Sequence, residues 1–344
     1  MIRRFYSFPL KSDLGEHHER AFLRALSDTC LFIPGTENTS AARDLSASSP
    51  TVVWENTYAD LESGQSVYMR HPYHAMVLDR FAMRDSPECV ASSDTSTCGY
   101  ELPGRIPLLT RGIRHVVLLR VPEESNLAGL AQLAANPPGP EISVFADETW
   151  SKYSPRKRDI NWRKPWTHIW EQGFANQDAL NRYLSGDSPA ARAERAGLVG
   201  LGFEVEAIRI MTYPVQLQPA PAVFATPRDP GACMLVATAN ISTKDADSFV
   251  DQLEQSYDPA AAEAGMPLKS RWQSCDPGSQ ETVVQSTWQL RSVSSWHDVR
   301  TSLVRDPRWK HFVDLAMPLV RGGSRRVALP CHSRASSGSK VPSD

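Results

Sequence analysis

The chain has 344 residues, of which 41% are hydrophobic and 22% charged, and a formal net charge of −2. These values fit a globular protein of two or three domains, and the near-neutral balance argues against nucleic-acid or membrane-surface partners. No apolar run approaches the roughly 18 residues of a transmembrane helix, and the opening Met1-Ile2-Arg3-Arg4-Phe5-Tyr6 lacks the apolar stretch of a signal peptide, so a cytoplasmic protein is expected. The six cysteines form no CxxC pair and no zinc-type spacing with histidine; reduced thiols and no metal are expected, although Cys89 and Cys98 could pair across a loop.

In chain order, residues 2–8 read as a strand and 16–26 as a helix with Phe22, Ala25 and Leu26 on one side. A turn at Pro34-Gly35, a weakly marked strand near 39–45 and a β-branched, aromatic strand at 51–58 follow. The next helix runs to about Phe81 and carries Tyr68, His71, Pro72 and His74, with the proline bending or breaking it. Residues 83–111 lose periodicity, with a strand expected near 105–110. A second cycle has strands at 113–121, 141–148, 166–171 and 203–214, and helices at 127–135 and 177–196. A basic loop at 152–165 lies between the second and third of these strands. Residues 214–231 hold five prolines and read as a linker. A third cycle has strands at 233–241, 268–274, 282–290 and 325–329, a helix marked by Phe249, Leu253 and Tyr257, and a helix at 297–319 interrupted at Asp306-Pro307. The Ser-rich 331–344 are expected to be disordered.

Three β-α-β-β-α-β cycles point to an α+β fold of tandem ferredoxin-like units. The expected boundaries are 1–111, 112–213, a linker at 214–231, 232–330 and a tail at 331–344. Each unit leaves one sheet face open, and that face must be covered. The first two units are expected to close on each other as a pseudo-dimeric barrel, and the third to pair with the third unit of a second chain in a homodimer.

Tyr68, His71 and His74 are the densest gathering of reactive side chains. A neutral imidazole can take a proton from a carbon beside a carbonyl, and a phenol can hydrogen-bond the resulting enolate. The basic run from Arg156 to Lys164 could hold an anionic substrate or be solvated. Glu16-His17-His18-Glu19 lacks the i, i+4 histidine spacing of a zincin.

Thr51-Val52-Val53-Trp54-Glu55 followed by Tyr68-x-x-His71-Pro72-x-His74, with Arg114-His115-Val116-Val117-Leu118 and Thr167-His168-Ile169-Trp170-Glu171 in the second unit, resembles the stress-responsive branch of the dimeric α/β-barrel superfamily. The first unit is similar to its olivetolic acid cyclase-like members. Trp288, Trp296-His297 and Asp306-Pro307-Arg308-Trp309 make the third unit look like the NIPSNAP branch. The resemblance implies Tyr68 and His74 as a catalytic pair and His71, His115, His168 and Trp54 as substrate-binding residues. It implies a cofactor-free lyase, cyclase or isomerase acting on a small aromatic or polyketide-like keto compound. Arg4 and Val52 stand where such cyclases carry further histidines, and His115 and His168 hold the matching places in the second unit. Alternatives within the superfamily are an oxygenase, a haem-dependent dehydratase with His311 as the ligand, or a non-catalytic stress-response or ligand-binding protein.

Overall fold

A computed structural model describes residues 1–92, 96–102, 109–122, 127–135, 137–150, 166–196, 198, 206–224, 231–274, 276 and 278–329. The chain divides into two bodies, Met1–Arg84 with Cys89–Thr226, and Asp85–Glu88 with Pro227–Asp344.

The first body holds two antiparallel sheets. Strands β1 (Ile2–Pro9), β2 (Thr36–Arg43), β3 (Thr51–Tyr58) and β4 (Ser96–Glu101) form the first, in the order β4-β1-β3-β2, and Gln218–Pro219 pairs on the outer edge of β2. Strands β5 (Arg111–Arg120), β6 (Ile142–Asp147), β7 (His168–Phe174) and β8 (Ala207–Gln216) form the second, in the order β6-β7-β5-β8. One face of each sheet enters a shared core of Phe5, Val53, Val116, Leu118, Ile169 and their neighbours. The edges also meet: Leu45 N–H donates to Thr212 O (2.6 Å) beside β2 and β8, and Thr149 N–H to Gly99 O (2.8 Å) beside β4 and β6. The result is a pseudo-dimeric barrel of two ferredoxin-like units, which leaves neither inner face exposed.

The outer faces carry helices. Helix α1 (Glu16–Ser27) buries Phe22, Ala25 and Leu26 against Phe8, Val52 and Trp54, as its periodicity predicts. The expected helix at 177–196 is two, α2 (Gln177–Ser185) and α3 (Pro189–Arg195). Gly186 and Asp187 part them, Ser188 caps the second through Ala191 N–H (3.1 Å), and Pro189 occupies its first turn.

Six buried side chains cross the barrel interior in pseudo-twofold fashion. Arg3 faces Tyr100 on β4 as Arg114 faces Tyr213 on β8, and Glu55 opposes Phe5 as Glu171 opposes Val116. Glu171 accepts from Arg3, Arg114 and the Tyr100 hydroxyl; Glu55 accepts from Arg114 (3.0 and 3.3 Å) and the Tyr213 hydroxyl (3.0 Å), with Arg3 Nε at 3.7 Å. A buried charge persists only when paired and hydrogen-bonded, and this arrangement pairs both glutamates across the two repeats.

The expected linker needs correction, and the strand expected near 105–110 lies mostly outside the described residues. The strand that pairs with the outer edge of β1, through six residues, is β4 at Ser96–Glu101. The supposed linker begins inside structure: Pro214 is in β8, an edge strand of its sheet where a missing N–H is tolerated, and Gln218–Pro219 pairs with β2. As expected, Cys89 and Cys98 are free thiols, both buried. The basic loop (152–165) and the tail (331–344) lie outside the described residues.

The second body has one antiparallel sheet in the order β10-β11-β9-β12, built from β9 (Cys233–Ser242), β10 (Leu268–Gln273), β11 (Glu281–Leu290) and β12 (Val320–Ala328). Helices α4 (Ala246–Gln252), α5 (Asp258–Glu263), α6 (Trp296–Arg305) and α7 (Pro307–Leu315) belong to it. Asp306 ends α6 and caps α7 by accepting from Arg308 N–H (2.8 Å), which accounts for the interruption at Asp306-Pro307. Among the described residues no helix is long and apolar enough to cross a membrane.

Candidate functional site

The Tyr68–His74 segment is built from two wide turns and a break. Ser63–Val67 and His74–Leu78 are π-helical, and Tyr68–Arg70 is a single α turn between them. His71, preceding Pro72, is extended (φ −68°, ψ 139°), as a residue before proline prefers. Its Nδ1 accepts from Tyr73 N–H (3.2 Å), which holds the bend; burial pushes its pKa down.

The break and the second π turn decide the geometry. The Tyr68 and His74 rings meet edge-on at 4.6 Å, and their residues are 2% and 6% exposed. In a π turn residue i+5 bonds back to residue i, so Asp79 N–H donates to His74 O. That places the buried Asp79 carboxylate 3.6 Å from His74 Nδ1.

Around this pair, the outer face of the first sheet contributes Trp54 and Tyr58, with ring centroids 6.0 and 5.6 Å from Tyr68. Arg4, buried on β1, donates from Nε to Thr97 Oγ1 (3.1 Å) and lies 3.9 Å from the rings of both Tyr6 and Trp150. Trp150, from the second repeat, stacks on Tyr58 at 5.8 Å. Burial pushes the Arg4 pKa down, partly offset by the Tyr58 and Tyr68 hydroxyls, and pushes the Tyr58 phenol up to about 12. Trp54 Nε1, both amide atoms of Asn56 and Arg4 Nη1 are buried with no hydrogen-bond partner among the described residues. Buried polar groups left this way call for a ligand or ordered water.

The equivalent places in the second repeat are different. His115 stands where Arg4 does, and its Nδ1 and Nε2 meet Thr212 Oγ1 (2.8 Å) and Glu194 Oε2 (3.1 Å). Glu194 Oε1 also accepts from Gln172 (2.7 Å) and Tyr183 (2.8 Å), and Gln172 Oε1 is the buried atom this network leaves over. His168 contacts Thr167 Oγ1 (2.9 Å) and Asp147 (3.2 Å) and stacks on Phe145. Both histidines alternate with residues of the second sheet's outer core, whereas Tyr68 and Trp54 belong to that of the first. The structure therefore brings Trp54 to Tyr68 and His74 but not His115 or His168. His311 is on the exposed side of α7, and no cluster of metal-ligating side chains occurs among the described residues.

Sequence reasoning noted Arg4 only as standing where the cyclases carry a histidine, and it missed Asn56, Tyr58, Asp79 and Trp150. Arginine at position 4 alternates with Ile2, Tyr6 and Phe8 on a buried face, and that was a readable signal. Trp150 arrives from the other repeat and leaves no local trace.

The NIPSNAP family model matches residues 236–334, a stretch that contains Trp288, Trp296-His297 and Asp306-Pro307-Arg308-Trp309. That stretch is similar to the NIPSNAP family. No curated protein matches the chain. Among solved structures, a protein from Fusobacterium nucleatum subsp. nucleatum ATCC 25586 aligns over 66% of this chain and 98% of its own, at 11% identity and a TM-score of 0.43. An anthrone oxidase-like protein aligns over 66% and 96%, at 13% identity and 0.44. A NIPSNAP family protein from Agrobacterium tumefaciens str. C58 aligns over 31% and 91%, at 15% identity and 0.26. Likenesses of this size say nothing about activity.

Proposed function

We propose that the first repeat houses a cofactor-free acid–base site for a small aromatic or polyketide-like keto compound. His74 takes a proton from the carbon next to the carbonyl, and the C–H electron pair moves into the enolate. Tyr68 donates a hydrogen bond to the enolate oxygen, and Arg4 supplies the positive charge facing it. Asp79, beside Nδ1, orients the imidazole and stabilises its protonated form. Ring closure, isomerisation and C–C cleavage can each follow from that enolate.

One contrast carries the reading. On the outer face of the second sheet His115, Gln172, Tyr183 and Glu194 hydrogen-bond into one network that leaves Gln172 Oε1 over, while the matching face of the first leaves Arg4, Trp54 and both Asn56 amide atoms unpartnered among the described residues, on the sheet face that packs on Tyr68. Deuterium exchange next to the carbonyl of an aromatic 1,3-diketone, followed by NMR with the full chain in heavy water, tests it. The expected result is exchange above the buffer rate, with Tyr68→Phe and His74→Gln each losing about 10²-fold or more. Exchange that survives both substitutions, or none in the native chain, overturns the proposal.

We also propose that the open face of the third sheet, which carries Trp272 and Val283 at 67% and 39% exposure, pairs with the same face of a second copy.

A further inference from the structure

The second body holds a pocket between its helices and sheet, lined by apolar side chains including Leu235, Phe249, Trp288 and Phe312. Two polar groups converge in it, the Tyr257 hydroxyl and the Arg325 guanidinium, and the latter also lies 4.6 Å over the Trp296 ring. Both residues are buried, at 3% and 4% exposure. They hold a carboxylate from the chain itself. Asp85 Oδ1 accepts from Arg325 Nη1 and Oδ2 from the Tyr257 hydroxyl, each at 3.0 Å. Glu88 secures the same segment by accepting from Arg325 N–H (2.8 Å). With Asp85–Glu88 in place, the space left is only a few water molecules in size.

An arginine and a phenol gripping one carboxylate inside an apolar wall form the chemistry of an acid-binding site. As a device for stability alone the pair is a poor choice, because apolar side chains of similar volume do as well or better. The residues that fill it are also far away in sequence, and their loop is closed at its base by Val90 N–H donating to Phe81 O (3.0 Å). The four residues can thus leave as one short loop. We propose that this pocket binds a small carboxylate with a flat apolar body, and that Asp85 is a built-in occupant which such a ligand displaces. The inference is independent of the site in the first repeat.

Titration of the full chain with sodium phenylacetate, read by tryptophan fluorescence, tests it, because Trp288 lines the pocket and Trp296 lies under Arg325. Asp85→Asn removes the competing charge and should tighten phenylacetate binding by about tenfold or more over the native chain. Adding Arg325→Gln should abolish that binding, and uncharged 2-phenylethanol should not bind either variant saturably. A folded Asp85→Asn chain that shows no saturable binding, or binds no tighter than the native chain, overturns the proposal. If Asp85→Asn does not fold, Glu88→Gln loosens the same segment while leaving the Asp85–Arg325 pair. It too should bind phenylacetate more tightly than the native chain, and equal affinity would count against the idea.

Discussion

Glu171 sits between two buried arginines. Burial alone would push its pKa up, but the Arg114 and Arg3 charges outweigh that and hold the carboxyl below its usual range. Glu171→Gln leaves both guanidiniums facing a neutral amide, so the expected loss in urea unfolding is about 3–5 kcal/mol. The pH dependence follows from the depressed folded pKa. The contribution is complete above the unfolded value near 4.5 and is lost as the pH falls through the folded one. Native protein should therefore lose stability between pH 4.5 and lower values more steeply than Glu171→Gln; parallel acid profiles would refute this account. The sequence does show charged residues inside apolar strands at Arg3, Glu55, Arg114 and Glu171. It does not show that they meet, since pairing across a barrel is set by register and closure rather than by neighbours in the chain.

At the level of single elements, the candidate site depends on departures from regular helix. Six residues along an unbroken α-helix leave two side chains about 120° apart. Tyr68 and His74 touch because the extended His71, Pro72 and the π turns re-aim them. The Tyr-x-x-His-Pro-x-His spacing thus marked two residues that meet, while the π turn that adds Asp79 was not legible, because no residue pattern marks one. Gly64 in the preceding π turn is needed for close approach. A Cβ there would lie 2.9 Å from the Trp150 ring and 3.0 Å from Tyr58. Gly64→Ala should cost about 1–3 kcal/mol in denaturant unfolding and shift tryptophan emission as Trp150 is pushed out. An unchanged spectrum and midpoint would mean that Trp150 does not cover this face.

For the whole molecule, the repeat count and the order of strands were readable from periodicity, and the edges of the repeats were not. Proline-rich composition near 214–219 hid a strand end and an added edge pairing. A chain ending at residue 226 keeps every strand of the barrel and should run as a folded monomer on sizing. The full chain should run as a dimer, and Trp272→Glu should return it to monomer, because a charge would be buried in the sheet-to-sheet contact. A monomeric full chain would remove the proposed third-repeat interface.

The charged cluster inside the barrel has a consequence for assembly. Because Arg3, Glu55 and Tyr100 mirror Arg114, Glu171 and Tyr213, each glutamate is satisfied by any repeat that presents an arginine and a tyrosine at those positions. The cluster reads the register of its partner and not which chain the partner comes from. Two copies that exchange these repeats make the same cluster contacts as one copy folded on itself. The choice between them then falls to the connecting length and to protein concentration during folding.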